Sequence, residues 1–127
     1  MQATQGQEQR QHPRYALGLP VTLLFGSRKT SVPGELRDLS AGGCFFQSQI
    51  EVDIDRRILV VMRDSAGHTC RAAGRVVRTQ AYQGFAALFD GAASGVIEAF
   101  IAGFGGDTHE ERVARLVAGL KPEIQIL

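Results

Sequence analysis

Two arginines four residues apart, Arg10 and Arg14, sit in the polar run Arg10-Gln11-His12-Pro13-Arg14. Guanidinium forks grip phosphate oxygens in pairs and reach the O6/N7 edge of guanine. Further along comes Asp38-Leu39-Ser40-Ala41-Gly42-Gly43, a carboxylate, a hydroxyl and a glycine pair between two strand-like runs. Asp38 can accept from the N–H groups of a guanine, and Ser40 can donate or accept beside it. Gly42 and Gly43 permit positive φ and a close approach to the backbone. Read together, the clusters are two halves of an anion and guanine pocket. Read singly, each has a plain alternative: two solvated tail arginines, and an Asx/Ser turn joining two strands.

The arginines also set a requirement on the ligand. Ordering Arg10 to Arg14 costs roughly 5–10 kcal/mol, at about 1–2 per residue, and Pro13 lowers that cost by fixing its own φ. A micromolar ligand yields only about 8 kcal/mol net. A multiply charged ligand held by two guanidiniums meets that demand better than a neutral metabolite. Arg75 and Arg78 can extend the anion site or can be a solvated barrel exterior. Arg71 and Arg75 share a strand face, whereas Arg78 falls on the other face unless a bulge intervenes.

Other chemistries find little support. Ser40-Ala41-Gly42 resembles half of G-x-S-x-G, but position 38 is Asp and no strand-to-helix elbow follows. His109-Glu110-Glu111-Arg112-Val113 begins like H-E-x-x-H without the second histidine. His12, His68 and His109 are scattered and read as surface residues. Cys44 and Cys70 have no metal spacing and read as small buried apolar residues. No nucleophile, base and metal-ligand set emerges, so an enzyme is not expected, and no cofactor or metal is called for.

These residues must be positioned by a small domain. The chain has 127 residues, 44% of them hydrophobic, which is enough for one core plus tails. Net charge is +1, so no global field draws it to nucleic acid or an anionic membrane. Residues 1–14 read as a flexible, Gln-rich arm without the apolar stretch of a signal peptide. No run is long enough to span a bilayer, and the expected home is the cytoplasm. Strand patterns cover Leu17–Phe25, Ser31–Leu39, Cys44–Gln47, Arg57–Arg63, Thr69–Arg78 and Phe85–Phe89. Six short strands with regular turns predict a mainly β, antiparallel barrel. Val96 to Phe104 then follows a helical period with Ser94 as N-cap. A second helix, about 108–120, is capped by Asp107 or Thr108 and carries the stripe Val113, Leu116, Val117 and Leu120. The expected organisation is an arm over 1–14, a barrel with its first helix over 15–104, and an added helix and tail over 105–127. The apolar stripe predicts that the added helix folds back on the barrel or marks a dimer or partner surface.

The two clusters, their order and their setting resemble the PilZ domain family, bacterial receptors for cyclic di-GMP. The family's marks are R-x-x-x-R in an N-terminal loop and [D/N]-x-S-x-x-G after the second strand. Arg10-x-x-x-Arg14 and Asp38-x-Ser40-x-x-Gly43 match both. Gly74-Arg75-Val76-Val77-Arg78 and Gly84-Phe85-Ala86-Ala87-Leu88-Phe89 look like its closing strand pair. The likeness spans roughly residues 10–104. It implies a six-stranded barrel with a C-terminal helix. It implies that Arg10 and Arg14 hold phosphates and the outer guanine edge, and that Asp38, Ser40 and Gly43 hold a guanine from the barrel side. Gly42, Arg75 and Arg78 are additional candidates. Cyclic di-GMP would then bind at the barrel mouth and order the arm over itself. A protein partner in motility, exopolysaccharide or attachment control would read the result, with homodimerisation open and neither DNA, RNA nor membrane insertion expected. Two alternatives stand beside this reading. One is a PilZ-fold interaction module that binds no nucleotide. The other is a small barrel for single-stranded nucleic acid, which the lack of Trp and the near-neutral charge disfavour.

Overall fold

A computed structural model of the chain describes residues 12–26 and 30–127. Alternation of apolar and polar residues builds the first wall. In β1 (Tyr15–Phe25), Tyr15, Leu17, Leu19, Val21 and Leu23 are buried while the residues between them face outward. β2 (Thr30–Leu39), β3 (Gly43–Gln47), β4 (Arg57–Arg63), β5 (Thr69–Gln80) and β6 (Gly84–Phe89) follow the sequence expectation to within a few residues. Two helices come next, α1 (Ala93–Ala102) and α2 (His109–Gly119). The chain ends in β7 (Lys121–Ile126).

The barrel therefore has seven strands, not the six expected, in the closed order β1-β2-β3-β6-β5-β4-β7. Nor is it wholly antiparallel, because β7 runs parallel to β1 and antiparallel to β4. The stretch read as a C-terminal tail supplies this strand. Its Glu123-Ile124-Gln125-Ile126 alternation is short and begins just after Pro122, which reads more readily as a helix stop than as a strand start. Ile124 and Ile126 are completely buried among Leu23, Ile58 and Val60 in the core. With β7 in place, neither β1 nor β4 is left with an unpaired edge along that side.

Three register shifts shape the wall. One falls between Ala16 and Leu19 of β1, at Gly18 with φ +64°. A second falls between Leu36 and Asp38 of β2, and a third between Val76 and Arg78 of β5. Those in β2 and β5 turn the next side chain through the sheet, whereas β1 keeps its alternation across Gly18.

The helices cover one side of the barrel. α1 buries Ile97 and Ile101 and lies near β5. Ser94 is not its N-cap, as expected from sequence; Ala92 holds that place without a side-chain hydrogen bond. Ser94 lies inside the first turn and donates its hydroxyl to the Gly91 carbonyl at 3.2 Å. α2 opens with a capping box: Thr108 Oγ1 accepts from the Glu111 amide, and Glu111 Oε1 accepts from the Thr108 amide. This helix folds back on β1. Leu116 and Leu120 are buried, and the His109 ring stacks on Tyr15 at a centroid distance of 5.0 Å. Val117, at the margin of the stripe, stays 43% exposed. Among the described residues no helix is long and apolar enough to cross a membrane.

Candidate functional site

The turn between β2 and β3 is built by Ser40. Its hydroxyl oxygen accepts from the Gly42 and Gly43 amides, both at 3.2 Å, and its own amide donates to the Gly43 carbonyl at 2.9 Å. This is an ST-turn that holds two amides and a carbonyl in fixed directions. Neither glycine uses the positive φ that its type permits. Gly43 is required for another reason: a Cβ there would lie 2.5 Å from the Ala87 carbonyl oxygen of β6. At Gly42 a Cβ would lie 3.3 Å from the His12 ring. The glycine pair thus lets β6 and the arm close onto the turn.

A cleft of about 370 Å³ opens beside this turn. Arg14, Asp38, Ser40, Gly42, Gly43 and Arg78 all line it, so the structure brings together six of the eight residues singled out from sequence. Arg10 lies outside the described residues. Arg75 is not brought to the cleft; its guanidinium pairs with Asp55 at 3.1 Å. The cleft lies next to the β2–β3 turn and against β5 and β6. Phe85, Ala87 and Phe89 of β6 point into the core, whereas Ala86 and Leu88 face outward and form the cleft wall with Val77.

Two bulges explain which charges arrive. Val77 is the extra residue in β5, so Arg78 pairs with Ala86 and turns outward, onto the same side as Arg71 and Arg75. Across the sheet the bulge at Arg37 re-aims Asp38. Arg37 itself is engaged by Gln47 at 2.8 Å and Glu35 at 3.2 Å. The charged side chains of Arg14, Asp38 and Arg78 have no hydrogen-bond or ion-pair partner among the described residues. This is unlike Arg37, Arg57 and Arg75 nearby, all of which are paired. Two free cations and a free carboxylate thus share one cleft.

Sequence reasoning missed two features of the cleft. One is the apolar wall of Val77, Ala86 and Leu88, the last 50% exposed. An exposed leucine in a strand gives no signal in a sequence, because outward positions of a barrel are individually permissive. The other is His12, read as a surface residue. It lines the cleft, with its side chain only 26% exposed. Its place between the two arginines was the available signal. Cys44 also borders the cleft, and burial pushes its thiol far above the ordinary range, so it forms a neutral wall. His68 instead braces the β4–β5 hairpin through Asp64 at 2.9 Å.

The cleft thus sets two arginines without partners among the described residues beside a rigid, amide-bearing turn on a small closed barrel. The sequence model of the PilZ domain matches residues 8–101, most of the chain, and the protein belongs to the PilZ domain family. PilZ domains are binding and effector modules, and the family in general binds cyclic di-GMP. The match ends within α1, so α2 and β7 lie beyond it. No curated protein matches the sequence.

Proposed function

We propose that this protein is a cyclic di-GMP receptor that closes its N-terminal arm over the ligand and signals to a protein partner, without catalysing a reaction. The observation that supports it most is the set of unpaired charges in the outer cleft. Arg14 and Arg78 need anionic acceptors, and Asp38 needs a donor. The guanidiniums and the carboxylate are not paired with one another. A guanine nucleotide supplies both complements: phosphate oxygens for the arginines, and the N–H groups of the base for Asp38. The apolar wall of Val77, Ala86 and Leu88 accepts the face of the base, and an arginine can stack on its other face. Ser40 acts through the turn, presenting the Gly42–Gly43 backbone, and Arg10 joins the phosphate grip when the arm closes.

Closure is a shift in populations, since the ligand favours the arm positions that offer it arginines. The new surface of arm and barrel is what a partner reads; motility, exopolysaccharide and attachment machinery are the outputs that family membership suggests. A cytoplasmic site of action goes with an intracellular messenger of this kind.

Calorimetric titration with cyclic di-GMP tests the reading. The protein is expected to bind in the micromolar range or tighter. Arg14→Ala and Asp38→Ala should each lose about tenfold or more, because each leaves part of the ligand's charge or polarity unpaired. Arg78→Ala should weaken binding, while Arg75→Ala should leave it unchanged. Absence of heat at tens of micromolar would refute the receptor; equal losses at Arg75 and Arg78 would refute the site as drawn.

A further inference from the structure

The root of the arm lies between two clefts. His12 and Arg14 line the 370 Å³ cleft described above. Pro13 and Tyr15 instead line a second one of about 210 Å³ against α1 and α2, together with Glu98 and Arg112. This is the alternation of an extended chain, with successive residues on opposite sides. His12 therefore shares its side with Arg14, and whatever fixes the His12 ring also fixes the neighbouring guanidinium.

The ring is held on two sides. Its Cδ2 edge lies against Gly42, where a Cβ would come within 3.3 Å of the ring. Its Nδ1 atom is shut off from solvent and has no hydrogen-bond partner among the described residues. Glu98 Oε2 of α1 lies 3.4 Å away, near enough to approach but not aligned for a hydrogen bond. A buried polar nitrogen without a partner is costly, and a small shift of the arm toward α1 would remove that cost. Glu98 does not line the nucleotide cleft, and its side chain is 65% exposed. It is thus free to move toward His12 and is not needed for packing.

We infer that His12 and Glu98 form a latch: the pair tightens as the arm beds down, fixes the arm root to α1, and so positions Arg14 for the ligand. His12 and Glu98 are positioning residues here, acting through Arg14. The inference rests on the reading that the outer cleft binds cyclic di-GMP. Its place in the chain also gives closure a route to the rest of the molecule. Tyr15, three residues on, stacks on His109 of α2, so a settled arm root bears on both helices.

The test uses the full chain and two readouts. In calorimetry with cyclic di-GMP, Glu98→Ala should lose roughly two- to fivefold in affinity, the range of a partly exposed pair. Glu98→Gln keeps an acceptor oxygen and should recover most of that loss. His12→Ala combined with Glu98→Ala should bind no more weakly than His12→Ala alone. In the absence of ligand, amide hydrogen exchange at His12 and at residues 14–16 should be faster in Glu98→Ala than in the parent or in Glu98→Gln. If Glu98→Ala matches the parent in arm exchange, the latch is overturned. An equal loss in Glu98→Ala and Glu98→Gln would overturn it too. If the parent itself binds no cyclic di-GMP, the receptor reading falls, and the exchange comparison still decides the latch on its own.

Discussion

Among individual residues, what distinguishes the cleft is which charges have partners. Arg57 and Asp90 form a two-pronged pair at 2.7 and 3.2 Å, joining the start of β4 to the end of β6. The Arg57 hydrogen bond, with Arg57 and Arg75 charge nearby, holds the Asp90 carboxyl below its ordinary range. A carboxyl depressed in the folded state stabilises the fold above its unfolded pKa. That contribution fades as pH falls through the folded value. Thermal melts of the parent and of Asp90→Asn should accordingly differ most near neutral pH. The two melting temperatures should converge below about pH 4, where the unfolded aspartate takes up its proton. A gap that widens on acidification would mean that the pair does not stabilise the fold. Arg14, Asp38 and Arg78 have no such partner among the described residues.

At the scale of elements, the site depends on how closely β3 approaches β6. Gly43 pairs with Leu88, and its missing side chain admits the Ala87 carbonyl. Gly43→Ala should separate the two strands and lower stability by about 1–3 kcal/mol, the range for overpacking a tight contact. Urea denaturation followed by circular dichroism measures it, and an unchanged midpoint would show that the strands yield freely. The same separation should widen the cleft and weaken the ligand, so stability and affinity fall together here. In Arg78→Ala, by contrast, only affinity should fall. The sequence singled out Gly43 through its motif, for positive φ or for a close approach to the backbone, without saying what approaches. The steric reason depends on β6, forty-odd residues away along the chain, and no local pattern contains it.

For the molecule as a whole, β7 makes the barrel a closed object. Ile124 is fully buried where β7 lies between β1 and β4, whereas Leu127 just beyond the strand is 58% exposed. Ile124→Ala should cost about 2–5 kcal/mol, as for a large core residue cut to a methyl group. Leu127→Ala should cost little. Equal effects on the denaturation midpoint would place β7 outside the cooperative unit. Since β7 follows α2, and α2 packs on the arm root at Tyr15, the segment beyond the family match is joined mechanically to the part that holds the candidate site.

The sequence by itself determined the six strands of the first ninety residues, both helices, a cap at Asp107 or Thr108 and the paired motifs that mark the family. All of these are written in short-range periodicity or in fixed spacing, which a chain carries locally. Tertiary structure decided the rest. Whether Arg78 faces outward to the cleft turned on one bulge at Val77, and a single inserted residue reverses a strand's faces without changing its composition. The assembly of the cleft, the approach of His12 to Glu98 and the closure of the barrel by β7 each depend on residues far apart in the chain. Their contacts arise only when the sheet has curled far enough to bring them together.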